Sequence, residues 1–472
     1  PNYFSKQSKI VTFAPQFIIM SKPSIPKGTR DFLPATMVKR NFIFDTVRKS
    51  FVRYGYLPIE TPAMEKTETL MGKYGEEGDK LIFKILRNGD FMSKPSDQDL
   101  ADRDSTKVIQ SISEKALRYD LTVPFARFVV QNQNELSFPF KRSQIQTVWR
   151  ADRPQKSRYQ EFFQCDADVV GSDSLMYEVE LVQLFDEVLS NLGLTDFTIK
   201  INNRKILSGI AEITGQSDKI IDITVAIDKL DKIGEEGVIK ELFEKEVPAE
   251  AIEMIKPLFS INGNNEAVVT DMKKLLAQSE VGLKGIEELE YVFKAIDAVG
   301  LQHAKFEFDV TLARGLNYYT GAIFEVKANN VSIGSVCGGG RYDDLTSIFG
   351  LKGMSGVGIS FGADRIYDVM EELDLFPAFD KESTQLLLIN FGVDDIATIK
   401  MVSQFRNAGI NAEAYPSAAK LKKQMSYADA KAIPYVLFLG EEEMASQKFN
   451  LKNMVSGEQT AVTAADVIAK FS

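Results

Sequence analysis

The chain has 472 residues, 44% of them hydrophobic and 26% charged, enough apolar content for two or three globular domains with cores of their own. No run of about 18 apolar residues occurs, which argues against a transmembrane helix. The net charge of −10 argues against a generally basic, sequence-blind nucleic-acid binder. Two cysteines, Cys165 and Cys337, and a single histidine, His303, leave no parts for a disulfide framework, a Cys/His zinc site or a Cys–His nucleophilic pair. The chemistry that remains belongs to Arg, Asp, Glu, Gln, Tyr and backbone groups, as in adenylyl or phosphoryl transfer.

In chain order, residues 1–19 hold Lys6 and Lys9 but neither an acid nor an arginine, and Met20-Ser21-Lys22 resembles a start. Residues 1–20 are therefore expected to be a leader or disordered tail. With few cysteines and no signal peptide, the expected compartment is the cytoplasm. Over 39–54, Phe42, Ile43, Val47, Phe51 and Val52 recur at helical spacing, and Tyr54-Gly55-Tyr56 closes that helix. Residues 57–62 read as extended, because residues before proline avoid the helical region. Strands are predicted at 80–86, 116–124, 143–150 and 161–171, and an amphipathic helix at 175–192. From 204 to 300, charged helical patterns predict a mostly helical insert. Strand signals resume at 305–313, 322–328 and 331–336, and His303, just before them, reads as structural. A linker at 374–384 precedes a small α/β domain with strands at 385–391, 411–415 and 434–439 and helices at 394–408 and 420–432.

Several stretches offer chemistry. On a strand at 162–170, Phe163, Cys165, Ala167 and Val169 share one face while Gln164, Asp166 and Asp168 share the other. That polar side is either a wet edge or the floor of a ligand site. A strand at 117–123 divides the same way, with Arg118, Asp120 and Thr122 opposite Leu117, Tyr119, Leu121 and Val123. Two acid-bearing faces suit an amino group or an imidazole N–H. Residues 141–160 form a basic patch of Lys141, Arg142, Arg150, Arg153, Lys156 and Arg158 against the single acid Asp152; it is either an RNA or phosphate contact or a solvated loop. The stretch 356–365 reads as a strand entering a helix, with Arg365 in the first turn, an end that favours anions; for Arg150 or Arg365 alone the alternative is a surface salt bridge. The run Gly338-Gly339-Gly340 fits neither the dinucleotide fingerprint nor the P-loop. The stretch from Thr311 to Gly321 reads as a turn between strands carrying Arg314, Tyr318 and Tyr319.

Taken together, these residues resemble the histidyl-tRNA synthetase family of class II aminoacyl-tRNA synthetases. Residues 54–62 resemble motif 1, Trp149-Arg150-Ala151-Asp152-Arg153-Pro154 through Phe162 resembles motif 2, and 356–365 resembles motif 3. Arg314-Gly315-Leu316-Asn317-Tyr318-Tyr319 and Gly338-Gly339-Gly340-Arg341-Tyr342-Asp343 resemble the two histidine signatures, with Asn317 where Asp is common. Residues 117–124 match the eukaryote-like form, and the resemblance runs from about Lys27 to the C-terminus.

The resemblance implies an α+β fold. A class II antiparallel β-sheet catalytic domain with flanking helices (21–203 and 301–375) would carry a helical insert (204–300) and be followed by a C-terminal α/β anticodon-binding domain (385–472). It also implies a homodimer that uses ATP, with Mg²⁺ carried by the nucleotide rather than by a dedicated protein site, and that joins L-histidine to tRNA(His). Asp120, Leu121, Thr122, Gln164, Asp168, Arg314, Tyr318 and Tyr319 would bind histidine. Arg150, Asp152, Arg158 and Arg365 would bind ATP. Arg150 and Arg314 would be catalytic, Arg314 lying at the reacting carboxylate. The contrasting expectation is a non-catalytic regulatory subunit of ATP phosphoribosyltransferase. Such chains typically lack the C-terminal domain and degrade the first signature, and both are present here.

Overall fold

The computed structural model describes residues 22–313, 318–378, 384–416 and 419–471. The chain forms two compact units, one of residues up to Leu33 together with Arg40–Leu375, the other of Pro34–Lys39 together with the residues from Phe376 on.

The first unit is built on an eight-stranded sheet. Its strands, with those of a small accessory sheet, are β1 Leu57–Pro58, β2 Met64–Lys66, β3 Lys84–Ile85, β4 Lys115–Leu117, β5 Phe140–Trp149, β6 Glu161–Val170, β7 Phe197–Asn203, β8 Lys305–Phe308, β9 Ala322–Ala328, β10 Cys337–Tyr342 and β11 Gly356–Gly362. The large sheet runs β1-β5-β6-β11-β10-β9-β7-β8, and β2-β4-β3 form the accessory sheet. Every pairing from β5 to β7 across the large sheet is antiparallel, whereas β1 and β8 join its two ends in parallel.

One face of the sheet is apolar and covered by helices. Phe163 meets Phe44 of the helix Pro34–Arg53, and Phe361 meets both Phe51 of that helix and Phe185 of the helix Met176–Asn191. The other face is polar, and its register sets side chains side by side. Arg142 pairs with Asp168, which pairs with Gly358, and Gly358 with Gly340; Gln144 pairs with Asp166, then Ser360, then Gly338. β6 lies inside the sheet, so the wet-edge explanation of its alternation fails.

Four strand predictions need correction. Residues 116–124 do not continue as a strand: β4 ends at Leu117 and a helix runs Thr122–Asn132. Pro124 sits in that helix's first turn, where a missing N–H costs nothing. In the predicted strand at 80–86 only Lys84 and Ile85 are extended, because the helix Gly75–Lys80 enters it. Residues 331–336 form no strand, and the glycine run beyond them does. Glycine weakens an isolated strand, but here a Cβ at Gly339 would collide with the backbone of Gly358 and Ile359. Further on, β8 stops at Phe308 because Asp309 turns the chain, accepting from Thr311 N (2.9 Å) and Oγ1 (2.6 Å).

Between β7 and β8 the chain is helical, from Arg204–Ile213 to Glu280–Val299, with no strand. Those two helices approach closely at Gly209 and Gly282.

The second unit holds β12 Leu386–Asn390, β13 Ala412–Ala414, β14 Tyr435–Leu439, β15 Phe449–Asn453 and β16 Gln459–Val462. They order as β13-β12-β14-β15-β16, parallel across the first three. Along β12, Leu386 and Leu388 bury into one apolar cluster and Leu387 and Ile389 into another, which is why the strand reads as continuous apolar sequence. The elements predicted between 385 and 439 are present; β15, β16 and the helix Ala464–Phe471 were not anticipated.

A buried ion pair ties the sheet to its covering helix. Arg341, 4% exposed, donates from Nε and Nη2 to the two oxygens of Glu178, which is fully buried, at 2.5 and 2.7 Å. Removing one partner strands the other charge, at a cost of about 3–5 kcal/mol. Glu178→Ala is therefore expected to lower unfolding stability by about that amount in a urea titration. A loss below about 1 kcal/mol would mean that water solvates the guanidinium.

Candidate functional site

The polar face of the sheet carries three carboxylates almost sealed from solvent: Asp120 and Asp168 are 1% exposed and Asp166 2%. Asp166 and Asp168 project from β6. Asp120 reaches the same place by another route, in the turn before the helix Thr122–Asn132, where its Oδ1 accepts from Val123 N at 3.2 Å. Tyr74 and Tyr318 hydroxyls each donate to Asp120 at 2.9 Å, and Tyr342 donates to Asp168 at 2.6 Å. Gln164 donates to Ser360 Oγ at 2.8 Å.

Among the described residues, one guanidinium is fully buried beside these acids. Arg142 is completely buried, with Nη2 2.8 Å from Asp168 and 3.5 Å from Asp166. The contact to Asp168 is close but lacks hydrogen-bond alignment, so Arg142 Nη2 and Asp168 Oδ2 keep unused capacity, as do Asp166 Oδ1 and Gln164 Oε1. Burial pushes all three carboxyls above their usual range. For Asp166 the rise is to about 7: burial is the main cause, Asp168 and Asp120 add to it, and Arg142 opposes it. Among the described residues, three acids with orphaned acceptors face one buried guanidinium, an arrangement with capacity for further N–H donors. The cavity is lined by Asp120, Thr122, Gln164, Asp166, Asp168, Tyr318, Tyr319 and Tyr342 and encloses about 30 Å³. Glycine keeps it open: a Cβ at Gly358 would strike the Asp168 carboxylate, and one at Gly340 the Tyr319 ring.

An arginine cluster lies on the same sheet. Arg150, just past β5, donates to Tyr119 O at 3.1 Å and lies over the Tyr119 ring. Arg365, in the first turn of the helix Ala363–Glu372, donates to Ser157 O at 3.2 Å and to Ser335 O at 2.5 Å. Arg158 pairs with Asp152 at 3.3 Å. Burial lowers the Arg365 pKa, and the positive charges of Arg158 and Arg150 lower it further. Guanidiniums that repel one another at a helix N-terminus suit a polyanion that would relieve the repulsion. Arg150 also acts on Asp120, opposing the rise in its pKa, so the two sites share a charge.

The structure thus brings Asp120, Thr122, Gln164, Asp168, Tyr318 and Tyr319 around one cavity; Leu121 is buried and does not line it. Arg150, Asp152, Arg158 and Arg365 gather in the second cluster. Arg314 and Asn317 lie outside the described residues. The predicted basic patch at 141–160 does not exist as one surface: Arg142 is internal, Lys141 pairs with Glu180 and Lys156 with Glu372. Arg142, Tyr74, Tyr342 and Ser360 were not picked out as site residues. For Arg142 the signal was present, since Arg142, Gln144 and Gln146 alternate as Gln164, Asp166 and Asp168 do. His303 is exposed, with Nδ1 2.9 Å from Ser190 Oγ, and takes no part. Among the described residues no cluster of three or more His, Cys, Asp or Glu side chains could hold a metal ion, and no helix is long and apolar enough to cross a membrane.

An acid cage beside an arginine cluster defines a class of protein that brings a cationic small molecule against a phosphate compound. Comparison with known proteins narrows that class. The family profile described as Histidyl-tRNA synthetase matches residues 90–366, and that of the Anticodon binding domain matches 387–472. A Histidine--tRNA ligase of Christiangramia forsetii is 62% identical, over 93% of this chain and 97% of its own length. One of Bacteroides fragilis is 59% identical, over 96% and 99%. The crystal structure of a histidyl-tRNA synthetase from Nostoc sp. PCC 7120 matches with TM-score 0.78 at 31% identity, covering 96% of this chain and 100% of that one. An ATP phosphoribosyltransferase regulatory subunit/histidyl-tRNA synthetase from Bacillus halodurans, at 21% identity and TM-score 0.69 over 89% and 99%, shares the fold alone. The chain belongs to the histidyl-tRNA synthetase family.

The Asp166 carboxyl gives the site a pH signature. Its folded pKa of about 7 lies above the ordinary 3.8. Between those values the folded chain keeps a proton that the unfolded chain has lost, so this group makes stability fall as pH rises through the window and level off above it. Asp166→Asn is expected to flatten the stability–pH curve between about pH 4 and pH 7 in denaturant titrations. An unchanged slope in the variant would assign the dependence to other groups.

Proposed function

We propose that the chain activates L-histidine with ATP, giving histidyl-adenylate and pyrophosphate, and then transfers the histidyl group to the 3′ end of tRNA(His) for protein synthesis. The observation that carries this reading is the buried acid cage on the same sheet as the arginine cluster, in a chain of this family. The α-ammonium of histidine sits against Asp120 and Thr122, with Gln164 beside it. Asp168 and Tyr319 read the imidazole, Asp168 accepting from its N–H, and Tyr318 lines the same pocket. The Asp168 carboxylate is suited to that role because Tyr342 and Arg142 hold it from two sides, while Oδ2 keeps acceptor capacity.

The first step needs no protein nucleophile. A histidine carboxylate oxygen attacks the α-phosphorus, the bond to the bridging oxygen breaks, and pyrophosphate leaves with that electron pair. Catalysis is positioning and charge stabilisation. Arg150 contacts the α-phosphate, Arg365 the γ-phosphate, and Asp152 and Arg158 belong to the loop over the nucleotide. Arg314 supplies positive charge at the reacting carboxylate. Mg²⁺ neutralises phosphate charge when bound. Asp152 and Glu325, whose charges bear on Arg365, are acids of the cluster that such an ion would join. In the second step a terminal ribose hydroxyl of tRNA attacks the adenylate carbonyl, and AMP departs.

We assign residues 21–203 and 301–375 to the catalytic core, 204–300 to an insertion domain and 385–472 to anticodon binding. The motif 1 region supports a homodimer: Leu57, on the edge strand β1, is 58% exposed and Val52 66%. The proposed compartment is the cytoplasm. A non-catalytic regulatory role is disfavoured by the retained arginine cluster and by the second unit.

The test is amino-acid-dependent ATP–pyrophosphate exchange with each of the standard amino acids in turn. Histidine alone is expected to support exchange. Equal exchange with a second amino acid, or none with histidine, would overturn the assignment.

A further inference from the structure

The segment before the first helix takes no part in the chemistry above, yet it is built into the base of the nucleotide loop. The Arg30 guanidinium lies over the Tyr159 ring, 3.2 Å from its centre, and forms an ion pair with Asp364. Asp364 is 3% exposed and is shared, accepting also from Arg40 Nη1 at 2.5 Å and from Phe163 N at 2.9 Å. Tyr159 donates its hydroxyl to Asp368, one turn further along the same helix, at 3.1 Å. The backbone adds a second tie. Gln160 N donates to Gly28 O at 2.9 Å, while Gln160 O accepts from Arg150 N at 2.9 Å. Gly28 has φ +85°, and a Cβ there would meet the Gln160 side chain at 2.6 Å, so only glycine brings the segment this close.

These contacts converge on the arginine cluster. Asp364 precedes Arg365 on the helix, and Arg365 donates to Ser157 O on the returning limb of the loop. Arg158 and Tyr159 follow Ser157 directly. The limb is therefore held on one side by Arg365 and Arg150, and on the other by Gly28 and Arg30. Arginine suits this place because one planar group can cover an aromatic face and pair with a carboxylate at the same time.

We infer that Arg30 is a positioning residue for nucleotide binding: it fixes the limb at 157–160 against the helix Ala363–Glu372 so that Arg158 and Arg365 address the polyphosphate together. The inference rests on the reading of that cluster as the ATP site. Arg30 itself touches no reacting atom, so its loss shows as misplacement of other groups.

The experiment is histidine-dependent ATP–pyrophosphate exchange with the full chain, comparing wild type, Arg30→Ala and Arg30→Lys, with thermal melting in parallel. Arg30→Ala is expected to raise the KM for ATP about tenfold and to lower kcat, the scale of a modest misplacement. The KM for histidine should stay within about twofold, because the acid cage makes no contact with this segment. Arg30→Lys keeps the charge but loses the planar fork, and should recover part of the loss. A folded Arg30→Ala variant with an unchanged KM for ATP, or with both KM values raised alike, overturns the inference. If Arg30→Ala does not fold, Tyr159→Phe, which loses only the bond to Asp368, decides: a raised KM for ATP alone supports the inference and unchanged constants overturn it. An inactive wild type would sink the functional reading and this inference with it, whereas an active wild type with unaffected variants sinks the inference alone.

Discussion

Arg142 has no exposed surface, and its charge is held between the carboxylates of Asp166 and Asp168 in the middle of an eight-stranded sheet. Burying an ionised group is costly unless its partners are close and aligned, so this cluster constrains everything around it. It exists only because β5 and β6 pair in one register, with Arg142 opposite Asp168 and Gln144 opposite Asp166. A slip of one residue would turn the acids into the helix-covered apolar face. On the other flank β11 presents Gly358 to Asp168, and any larger residue there would occupy the space of the carboxylate.

The same cluster explains why the site is tuned for cations. Among the described residues one buried guanidinium faces three buried acids, an imbalance that adds to burial, the main cause, in raising the Asp166 carboxyl. A ligand with an ammonium and a ring N–H relieves it, and a ligand lacking them would leave acceptors unsatisfied in a dry cavity. The arginine cluster has the opposite imbalance: burial lowers the Arg365 pKa, and the charges of Arg158 and Arg150 lower it further. Arg150 acts on both, on Asp120 from one side and Arg365 from the other. An amino acid and a nucleotide filling the two sites would each relieve the charge that the other's site lacks.

Much of this was legible in the residues. The alternation at 162–170 separated Gln164, Asp166 and Asp168 from Phe163, Cys165 and Ala167 correctly, because long interior strands keep a strict period of two. The continuous apolar run of β12 and the amphipathic helix at 175–192 were equally direct. The failures have physical causes. Alternation over 117–123 looked like another strand, but Asp120 sits in the turn before a helix and accepts from Val123 N instead, and proline is compatible with a first helical turn. The run Gly338-Gly339-Gly340 carries no strand propensity; its place is set by neighbouring strands too close for a side chain. The basic stretch at 141–160 dissolved because a strand sends alternate residues to opposite faces, so Lys141 and Arg142 were never on one surface. Tyr74 and Tyr342 come from distant segments, and no local pattern announces that their hydroxyls meet Asp120 and Asp168.

The account stands on the acid cage recognising cationic groups, and histidinol isolates that recognition: it keeps the ammonium and the imidazole of histidine and lacks the carboxylate. Calorimetric titration of the wild-type chain without ATP is expected to show histidinol binding as tightly as L-histidine to within about tenfold, or about 1.4 kcal/mol. Binding of L-histidine with no detectable binding of histidinol would contradict the account, because recognition would then rest on the carboxylate and the arginines rather than on Asp120, Asp166 and Asp168.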